Sequence, residues 1–175
     1  TGFKYIAKII REQEGKHTYI GGGEEPFGYL AGSYVRDKDG VSAITLVAEA
    51  AAWARGTMGI TLYEWLQQLY VKYGFYREGL VNVVRKGKDG AAEIQQMMVD
   101  YRQNPPKSLL GSPVVKILDY KTLEELDVAT GAKKPIEGID DKSNVLQWIT
   151  EDGTKVSVRP SGTEPKIKFY FGVKA

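Results

Sequence analysis

The sequence predicts an α/β segment followed by a small α+β domain whose sheet is mainly antiparallel. Over residues 1–75, three helical patterns surround one short strand pattern. Over residues 76–175, two helical patterns, one of them short, lie among five strand patterns joined by turns. The change of pattern at residues 74–80 places the expected domain boundary between residues 75 and 76.

The first half begins with an amphipathic helix over residues 3–13. Four apolar side chains share one face of this helix: Phe3, Ile6, Ile9 and Ile10. Residues 17–20 predict a short strand, and the three glycines at 21–23 are expected to end it.

Two more helices complete the first half. Residues 41–55 are apolar on nearly every face, which predicts a buried helix that Gly56 can end. Thr61 and Glu64 form a capping-box pattern, which predicts the start of a helix through about Tyr73.

The second half is expected to be a sheet covered by a helix. Residues 76–84 predict a strand, and residues 89–103 predict a helix that the Asn104-Pro105-Pro106 segment ends. One face of the helix carries Ile94, Met97, Met98 and Tyr101.

The remaining elements are mostly strands. They are predicted at residues 114–118, 145–150, 155–158 and 167–173. Asp152-Gly153 is expected to turn a hairpin between the second and third of these. The Thr122–Glu125 segment has the capping-box pattern of a short helix, and residues 127–143 are expected to form a long loop.

Composition excludes several classes of protein. The 175 residues are 42% hydrophobic and 26% charged, and they include no cysteine, which excludes disulfides, thiolate metal sites and cysteine nucleophiles. The net charge of +2 and the absence of a long basic run predict no nucleic-acid partner. Without a long apolar run or a signal peptide, we expect a cytoplasmic protein with no membrane partner. Because the chain starts at Thr1 rather than Met, we expect an excised fragment.

The Arg159–Lys166 segment is the strongest candidate site. It lies between two strand patterns and carries no large apolar side chain. A guanidinium, two hydroxyls, an ammonium and a glycine that exposes backbone N–H groups suit a phosphate. An ordinary hairpin loop is the alternative, because proline and glycine are common turn residues.

Three weaker candidates lie in the first half. Glu24 and Glu25 follow three glycines, and such carboxylates can accept hydrogen bonds from sugar hydroxyls, bind Mg²⁺ or Ca²⁺, or form an acid/base pair. The Arg36–Gly40 segment alternates charges before a predicted helix, so Asp39 could cap that helix and leave two cations free for an anion. The Thr1–Lys4 segment puts a hydroxyl and a glycine amide at a helix start. For each, a solvated turn or loop is the alternative.

Four motifs together resemble a known family. In chain order they are TGFK, GGGEEPFGYL, RDKDGVSA and RPSGTEPKIKFY, which begin at residues 1, 21, 36 and 159. This set resembles the α-D-phosphohexomutases, the phosphoglucomutase/phosphomannomutase superfamily, over nearly the whole chain. The resemblance implies that residues 1–75 are the later part of the third mutase domain, which is α/β, and that residues 76–175 are most of the fourth. The glutamate pair and RDKDG are more similar to the phosphoglucomutase and phosphopentomutase-like branches than to the phosphoglucosamine branch.

The resemblance also implies roles for individual residues. It implies that five residues bind the substrate phosphate, the lysine in an accessory role: Arg159, Ser161, Gly162, Thr163 and Lys166. It implies that Glu24, with Glu25 beside it, accepts hydrogen bonds from the sugar hydroxyls. Further contacts to the substrate are implied for Thr1, Gly2, Arg36 and Lys38. The family usually has serine where this chain has Pro26, so one hydroxyl of the sugar grip is missing here.

The resemblance further implies an isomerase that moves a phosphoryl group between sugar hydroxyls through a phosphoserine and a bisphosphate intermediate. The phosphoserine loop T-x-S-H-N-P and the metal loop D-x-D-x-D-R do not occur in this sequence. We therefore expect no catalytic residue and no metal ligand in the chain. We expect Mg²⁺ and a sugar bisphosphate activator to act only in the full-length parent, whose missing N-terminal domains and phosphorylated sugar are the expected partners.

Two other functions remain open from the sequence. A non-catalytic phosphosugar-binding or regulatory domain would need the same anion-binding loop, and the two transfer loops upstream in the intact gene product would distinguish it from a mutase. A glycoside hydrolase using Glu24 and Glu25 needs two carboxyl groups facing each other roughly 5–10 Å apart, for which adjacent residues are poorly placed.

Overall fold

The structure is a computed structural model that describes residues 2–24, 28–87 and 89–174. Within these ranges the α-helices are α1 (Lys4–Gln13), α2 (Gly40–Trp53), α3 (Leu62–Tyr73) and α4 (Gly90–Gln103). The strands are β1 (Gly22–Glu24), β2 (Gly28–Leu30), β3 (Tyr76–Val84), β4 (Ser108–Leu109), β5 (Ser112–Asp119), β6 (Glu124–Asp127), β7 (Lys133–Pro135), β8 (Leu146–Thr150), β9 (Lys155–Pro160) and β10 (Lys166–Lys174).

The chain forms two compact units, an N-terminal unit (Thr1–Leu69) and a C-terminal unit (Tyr70–Ala175). The division falls inside α3, a few residues before the boundary expected from the sequence. None of the helices within the described residues is long and apolar enough to cross a lipid bilayer.

The N-terminal unit has a small core beneath α1. Phe3, Ile10 and Leu30 are buried there, with Ile6 and Tyr19 packed against them. The helix predicted over residues 3–13 is therefore confirmed, and its apolar face makes this core. Ile9 is the exception on that face, because it is 59% exposed.

The strand predicted at residues 17–20 is wrong, because these residues pair with no strand and β1 starts only at Gly22. The Tyr19 hydroxyl donates a hydrogen bond to the Leu30 carbonyl oxygen at 3.1 Å, which fixes the segment through a side chain instead. A Cβ atom on Gly23 would collide with the ring of Tyr29 in β2. The glycines therefore form the hairpin rather than ending a strand.

Helix α2 forms where predicted but differs in its burial and its end. Ala43 is its one buried residue, whereas Val41 and Ile44 are 79% and 73% exposed. Gly56 does not end the helix, because the chain continues through a π-helical turn, Ala54–Met58. Gly59 follows with a φ of 71°, the left-handed conformation that glycine adopts at low cost.

The capping box predicted at the start of α3 is confirmed. The Thr61 backbone N–H donates to the Glu64 carboxylate at 2.7 Å, and the Glu64 N–H donates to the Thr61 hydroxyl at 3.2 Å. Gly74, with a φ of 98°, follows the last helical residue, Tyr73, as expected.

The C-terminal unit is an antiparallel sheet with α4 against one face. The sheet order is β3-β10-β9-β8-β5-β6-β7, and β4 pairs with β5. The predicted α+β architecture with a mainly antiparallel sheet is confirmed. Its core contains the buried residues Ile94, Met98, Val114, Leu146, Trp148, Val156, Val158 and Ile167.

Two expectations for this unit are wrong. The Thr122–Glu125 segment is not a helix, because Leu123 has a φ of 62° and β6 begins at Glu124. The Glu125 carboxylate binds Lys116 of β5 at 2.9 Å, so it does not cap a helix. The long loop expected at residues 127–143 contains strand β7, which pairs with β6.

Candidate functional site

The Arg159–Lys166 segment forms the end of the β9–β10 hairpin. Arg159 lies in β9, Lys166 opens β10, and we call the connecting residues 161–165 the hairpin tip. The Ser161 N–H donates to the Lys166 carbonyl oxygen at 2.8 Å, which closes the tip. The Ser161 hydroxyl oxygen accepts long hydrogen bonds from the N–H groups of Thr163 (3.4 Å) and Glu164 (3.3 Å). Two backbone donors and a serine hydroxyl are therefore gathered at an exposed turn.

Two cations face each other beside the tip. Arg159 of β9 lies directly opposite Lys168 of β10, so the two side chains project from the same face of the sheet. The alternating neighbours Val158 and Ile167 are fully buried on the helix side of the sheet. Like charges directly opposite each other destabilise a sheet, and an anion bound between them offsets that cost.

Lys168 was not among the site residues predicted from the sequence. The alternation of Ile167, Lys168 and Phe169 in β10 was sufficient to place Lys168 on the polar face. The pairing register with Arg159, which only the structure gives, makes it part of the same cationic group.

One acidic side chain lies within the hairpin tip. The Glu164 carboxylate forms an ion pair with the Lys166 ammonium group. The hydrogen bond and charge of Lys166, together with the charge of Lys168, lower the pKa of Glu164. Glu164 is thus an anion throughout the neutral range.

The hairpin tip is also tied to β3. The Arg85 N–H, just after β3, donates to the Pro165 carbonyl oxygen at 2.9 Å. The Arg85 guanidinium contacts the Glu93 carboxylate of α4 at 3.3 Å. These contacts fix the tip relative to the sheet and to the start of α4.

In the N-terminal unit the structure brings Gly2, Glu24 and Lys38 together. The Lys38 ammonium group donates to the Glu24 carboxylate at 2.8 Å, and both side chains are largely buried. The hydrogen bond and charge of Lys38, aided by the Gly2 backbone N–H, lower the pKa of Glu24, although partial burial opposes this. Three of the predicted substrate-contacting residues are therefore neighbours.

Arg36, the other cation of the RDKDG motif, is bound to a different carboxylate. The Arg36 guanidinium donates a hydrogen bond to the carboxylate of Glu14, the residue that follows the end of α1, at 2.7 Å. Asp39 caps α2 as expected, accepting from the Ser42 N–H at 2.8 Å. The expectation that Arg36 and Lys38 are left free is wrong, because each is bound to a carboxylate of the same unit.

Other predicted site residues lie outside the described part of the chain: Thr1, Glu25 and Pro26. Gly162 and Thr163 are exposed within the hairpin tip. Among the described residues, no three His, Asp or Glu side chains are grouped as a metal site would require.

Comparison with protein families identifies both parts of the chain. Residues 1–73 match the model for the phosphoglucomutase/phosphomannomutase α/β/α domain III, and residues 80–174 match the model for the C-terminal domain of the same family. The chain therefore belongs to the phosphoglucomutase/phosphomannomutase family. Within that family it consists of a domain III region followed by the C-terminal domain, as the four motifs predicted.

Individual relatives agree with this assignment. The chain is 36% identical over 174 residues to a phosphoglucomutase of Staphylococcus aureus strain MRSA252, covering 99% of this chain and 31% of the relative. It is 33% identical over 172 residues to a phosphoglucomutase of Staphylococcus haemolyticus, again with 31% of the relative covered. The chain thus spans about a third of the length of these relatives.

A solved structure shares the fold. The open form of the exocytosis-sensitive phosphoprotein pp63/parafusin from Paramecium, described as a phosphoglucomutase, matches with a TM-score of 0.59 and 17% identity. The match covers 99% of this chain and 28% of that one.

Proposed function

We propose that this chain is the sugar- and phosphate-binding part of a phosphohexomutase of the phosphoglucomutase type. The reaction interconverts a sugar 1-phosphate and its 6-phosphate, or a pentose 1- and 5-phosphate, through a bisphosphate intermediate. The proposal rests on the family assignment and on relatives named phosphoglucomutase, of which this chain spans about a third.

The observation that carries the phosphate-binding role is the pair of opposed cations beside the hairpin tip. Arg159 and Lys168 face each other across two strands, and the hairpin tip that joins these strands carries the hydroxyls of Ser161 and Thr163. A phosphate monoester has two negative charges and three terminal oxygens, so it can accept from both cations and from hydroxyl and backbone donors at once. Gly162 leaves the backbone open to such a ligand, because no side chain covers it.

The sugar-binding role belongs to the N-terminal unit. The Glu24 carboxylate has a lowered pKa and is held by Lys38, so it is ionised and fixed as an acceptor for sugar hydroxyls. Gly2 and Arg36 belong to this group by the family resemblance, as do Thr1 and Glu25.

Phosphoryl transfer requires groups that the described residues do not offer. Mg²⁺ would neutralise charge on the phosphoryl group in the full-length parent, but the acidic residues described here do not fit a magnesium site. We assign the phosphoserine, the magnesium ligands and the response to a sugar bisphosphate to parts of the parent outside this chain. The residues of this chain bind and orient the substrate.

A titration of the 175-residue chain with glucose 1-phosphate tests the phosphate-binding role. Replacement Arg159→Ala removes one guanidinium and should weaken binding about ten- to a hundredfold, the range of lost charge-assisted hydrogen bonds. Isothermal calorimetry, or NMR shifts of the Gly162 and Thr163 amides, measures the affinity.

Lys155→Ala is the matched control for this experiment. Lys155 is an exposed cation on the same strand and the same face as Arg159, four residues and about 13 Å away. It should leave the affinity unchanged. Equal affinities for Arg159→Ala and the unmodified chain would exclude the hairpin tip as the phosphate site.

A further inference from the structure

Glu164 is the one carboxylate in the hairpin tip that is assigned to phosphate binding. A carboxylate beside a bound phosphate repels it, and this carboxylate is ionised at neutral pH, as glutamates ordinarily are, with its pKa lowered further by Lys166 and Lys168. The structure shows Glu164 paired with Lys166, one of the cations that the resemblance assigns to the phosphate. The side chain therefore competes with the ligand for the same partner.

We propose that Glu164 is an internal counter-anion of the hairpin tip, which the substrate phosphate displaces from Lys166. This inference rests on the proposed function and adds a residue that limits the affinity of the site. In the absence of ligand, Glu164 offsets the repulsion among the cations that flank the tip, Arg159, Lys166 and Lys168. When a phosphate binds, Lys166 exchanges one anion for another.

The local geometry allows this exchange without rebuilding the turn. The Glu164 backbone is held at both ends, because its N–H donates to the Ser161 hydroxyl oxygen at 3.3 Å and its carbonyl accepts from the Lys166 N–H at 2.7 Å. Its side chain is 57% exposed, whereas that of Lys166 is 27% exposed. The carboxylate can therefore rotate into solvent while the backbone and the ammonium group stay in place.

Doubly charged ligands offset the cost of this competition. A singly charged anion that displaces Glu164 only replaces one negative charge with another at Lys166. A phosphate dianion replaces that charge and also places a second one near Arg159 and Lys168, which face each other beside the tip. The preference for a phosphate monoester dianion over acetate therefore comes from Arg159 and Lys168, while Glu164 lowers the affinity for both anions.

Removal of the counter-charge is the direct test. We expect Glu164→Gln to tighten binding of inorganic phosphate and of glucose 1-phosphate by about two- to fivefold, the range expected from losing one exposed ion pair. Phosphate should gain at least as much as acetate does, because a fixed negative charge repels a dianion more strongly than a monoanion. NMR titration of the 175-residue chain measures all three affinities.

Glu93→Gln is the matched control. Glu93 is also 57% exposed and also paired with a cation near the tip, Arg85, but it does not lie in the turn. It should leave phosphate affinity unchanged. Melting temperatures equal to that of the unmodified chain would show that neither change destabilises the fold.

A double-mutant cycle separates competition from a structural role. In the unmodified chain Lys166 already has an anion, so Lys166→Gln should cost little affinity. In the Glu164→Gln background Lys166 gains a full ion pair on binding, so the same change should cost more. Equal costs in the two backgrounds, or weaker phosphate binding by Glu164→Gln, would overturn the inference.

The outcomes also separate this inference from the proposed function. Binding that depends on Arg159 but does not rise in Glu164→Gln overturns only the counter-anion. The absence of measurable phosphate binding by every variant overturns both.

Discussion

At the scale of single residues, three of the cations predicted to meet the substrate already have carboxylate partners: Arg36, Lys38 and Lys166. Lys38 binds Glu24 and Lys166 binds Glu164, each within its own unit. A ligand that binds these cations therefore has to compete with the carboxylates that are already paired with them. Glu24 differs from Glu164 in its burial, because only 24% of its side chain is exposed.

The Glu24–Lys38 pair makes a prediction about pH. Replacement Lys38→Met removes the group that contributes most to lowering the pKa of Glu24, so that pKa should rise toward the ordinary glutamate value. A titration of the Glu24 carboxyl carbon by NMR measures it. Lys8→Met, at an exposed lysine 3.9 Å from Glu12, is the control and should leave the pKa of Glu24 unchanged.

The same pair contributes to stability with a defined sign. Because the folded-state pKa of Glu24 is below its unfolded value, the stabilisation is present above the unfolded pKa and is lost as pH falls through the folded pKa. Lys38→Met should therefore weaken the acid dependence of unfolding in this range. An unchanged pKa of Glu24 in Lys38→Met would show that the ion pair does not persist in solution.

In and beside the hairpin tip, some of the site residues could be predicted from the sequence and others could not. The chemistry of Arg159 and Ser161 is evident from residue type and from the flanking strand patterns. Lys168 becomes part of the site only through a register across two strands, and Glu164 only through a side-chain contact. Such long-range or conformational facts are not encoded in local spacing.

At the scale of elements, two identical capping-box patterns have opposite outcomes. Thr61 and Glu64 cap α3, whereas Thr122 and Glu125 stand at the start of strand β6. The difference is tertiary, because β5 brings Lys116 to the Glu125 carboxylate. A local pattern worth about 1 kcal/mol is overridden when a neighbouring strand offers a full set of backbone hydrogen bonds.

The cap of α3 can be tested directly. Thr61→Ala removes the hydroxyl that accepts from the Glu64 N–H at 3.2 Å, and should lower the free energy of unfolding by about 1 kcal/mol. Urea unfolding followed by far-UV circular dichroism measures it. Thr61→Ser keeps the hydroxyl and should be nearly neutral. A loss as large in the serine variant would assign the effect to the threonine methyl group instead of the cap.

At the scale of the whole molecule, the two units differ in whether the residues that are predicted to be buried are buried in the structure. In the C-terminal unit the helix and the strands bury the residues that their periodicity selects, such as Ile94 and Met98. In the N-terminal unit, α2 is apolar on nearly every face, yet only Ala43 is buried. Its composition predicts burial in the complete fold, and this chain spans about a third of the relatives that share that fold.

The last prediction concerns catalysis by the chain as a whole. Phosphoryl transfer needs a group that gives and receives phosphate and a cation that stabilises the developing charge. The sequence contains neither the phosphoserine loop nor the metal loop of the family it belongs to. We therefore expect the 175-residue chain to bind glucose 1-phosphate but not to convert it to the 6-phosphate.

A coupled assay that detects glucose 6-phosphate, with Mg²⁺ and a sugar bisphosphate present, measures the conversion. The phosphoglucomutase of Staphylococcus aureus, to which this chain is 36% identical, is the positive control for the assay conditions. Binding without turnover would show that the chain binds the substrate but does not catalyse phosphoryl transfer. Turnover by the chain alone, unaffected by repurification, would contradict this prediction and place a phosphate donor among the residues described here.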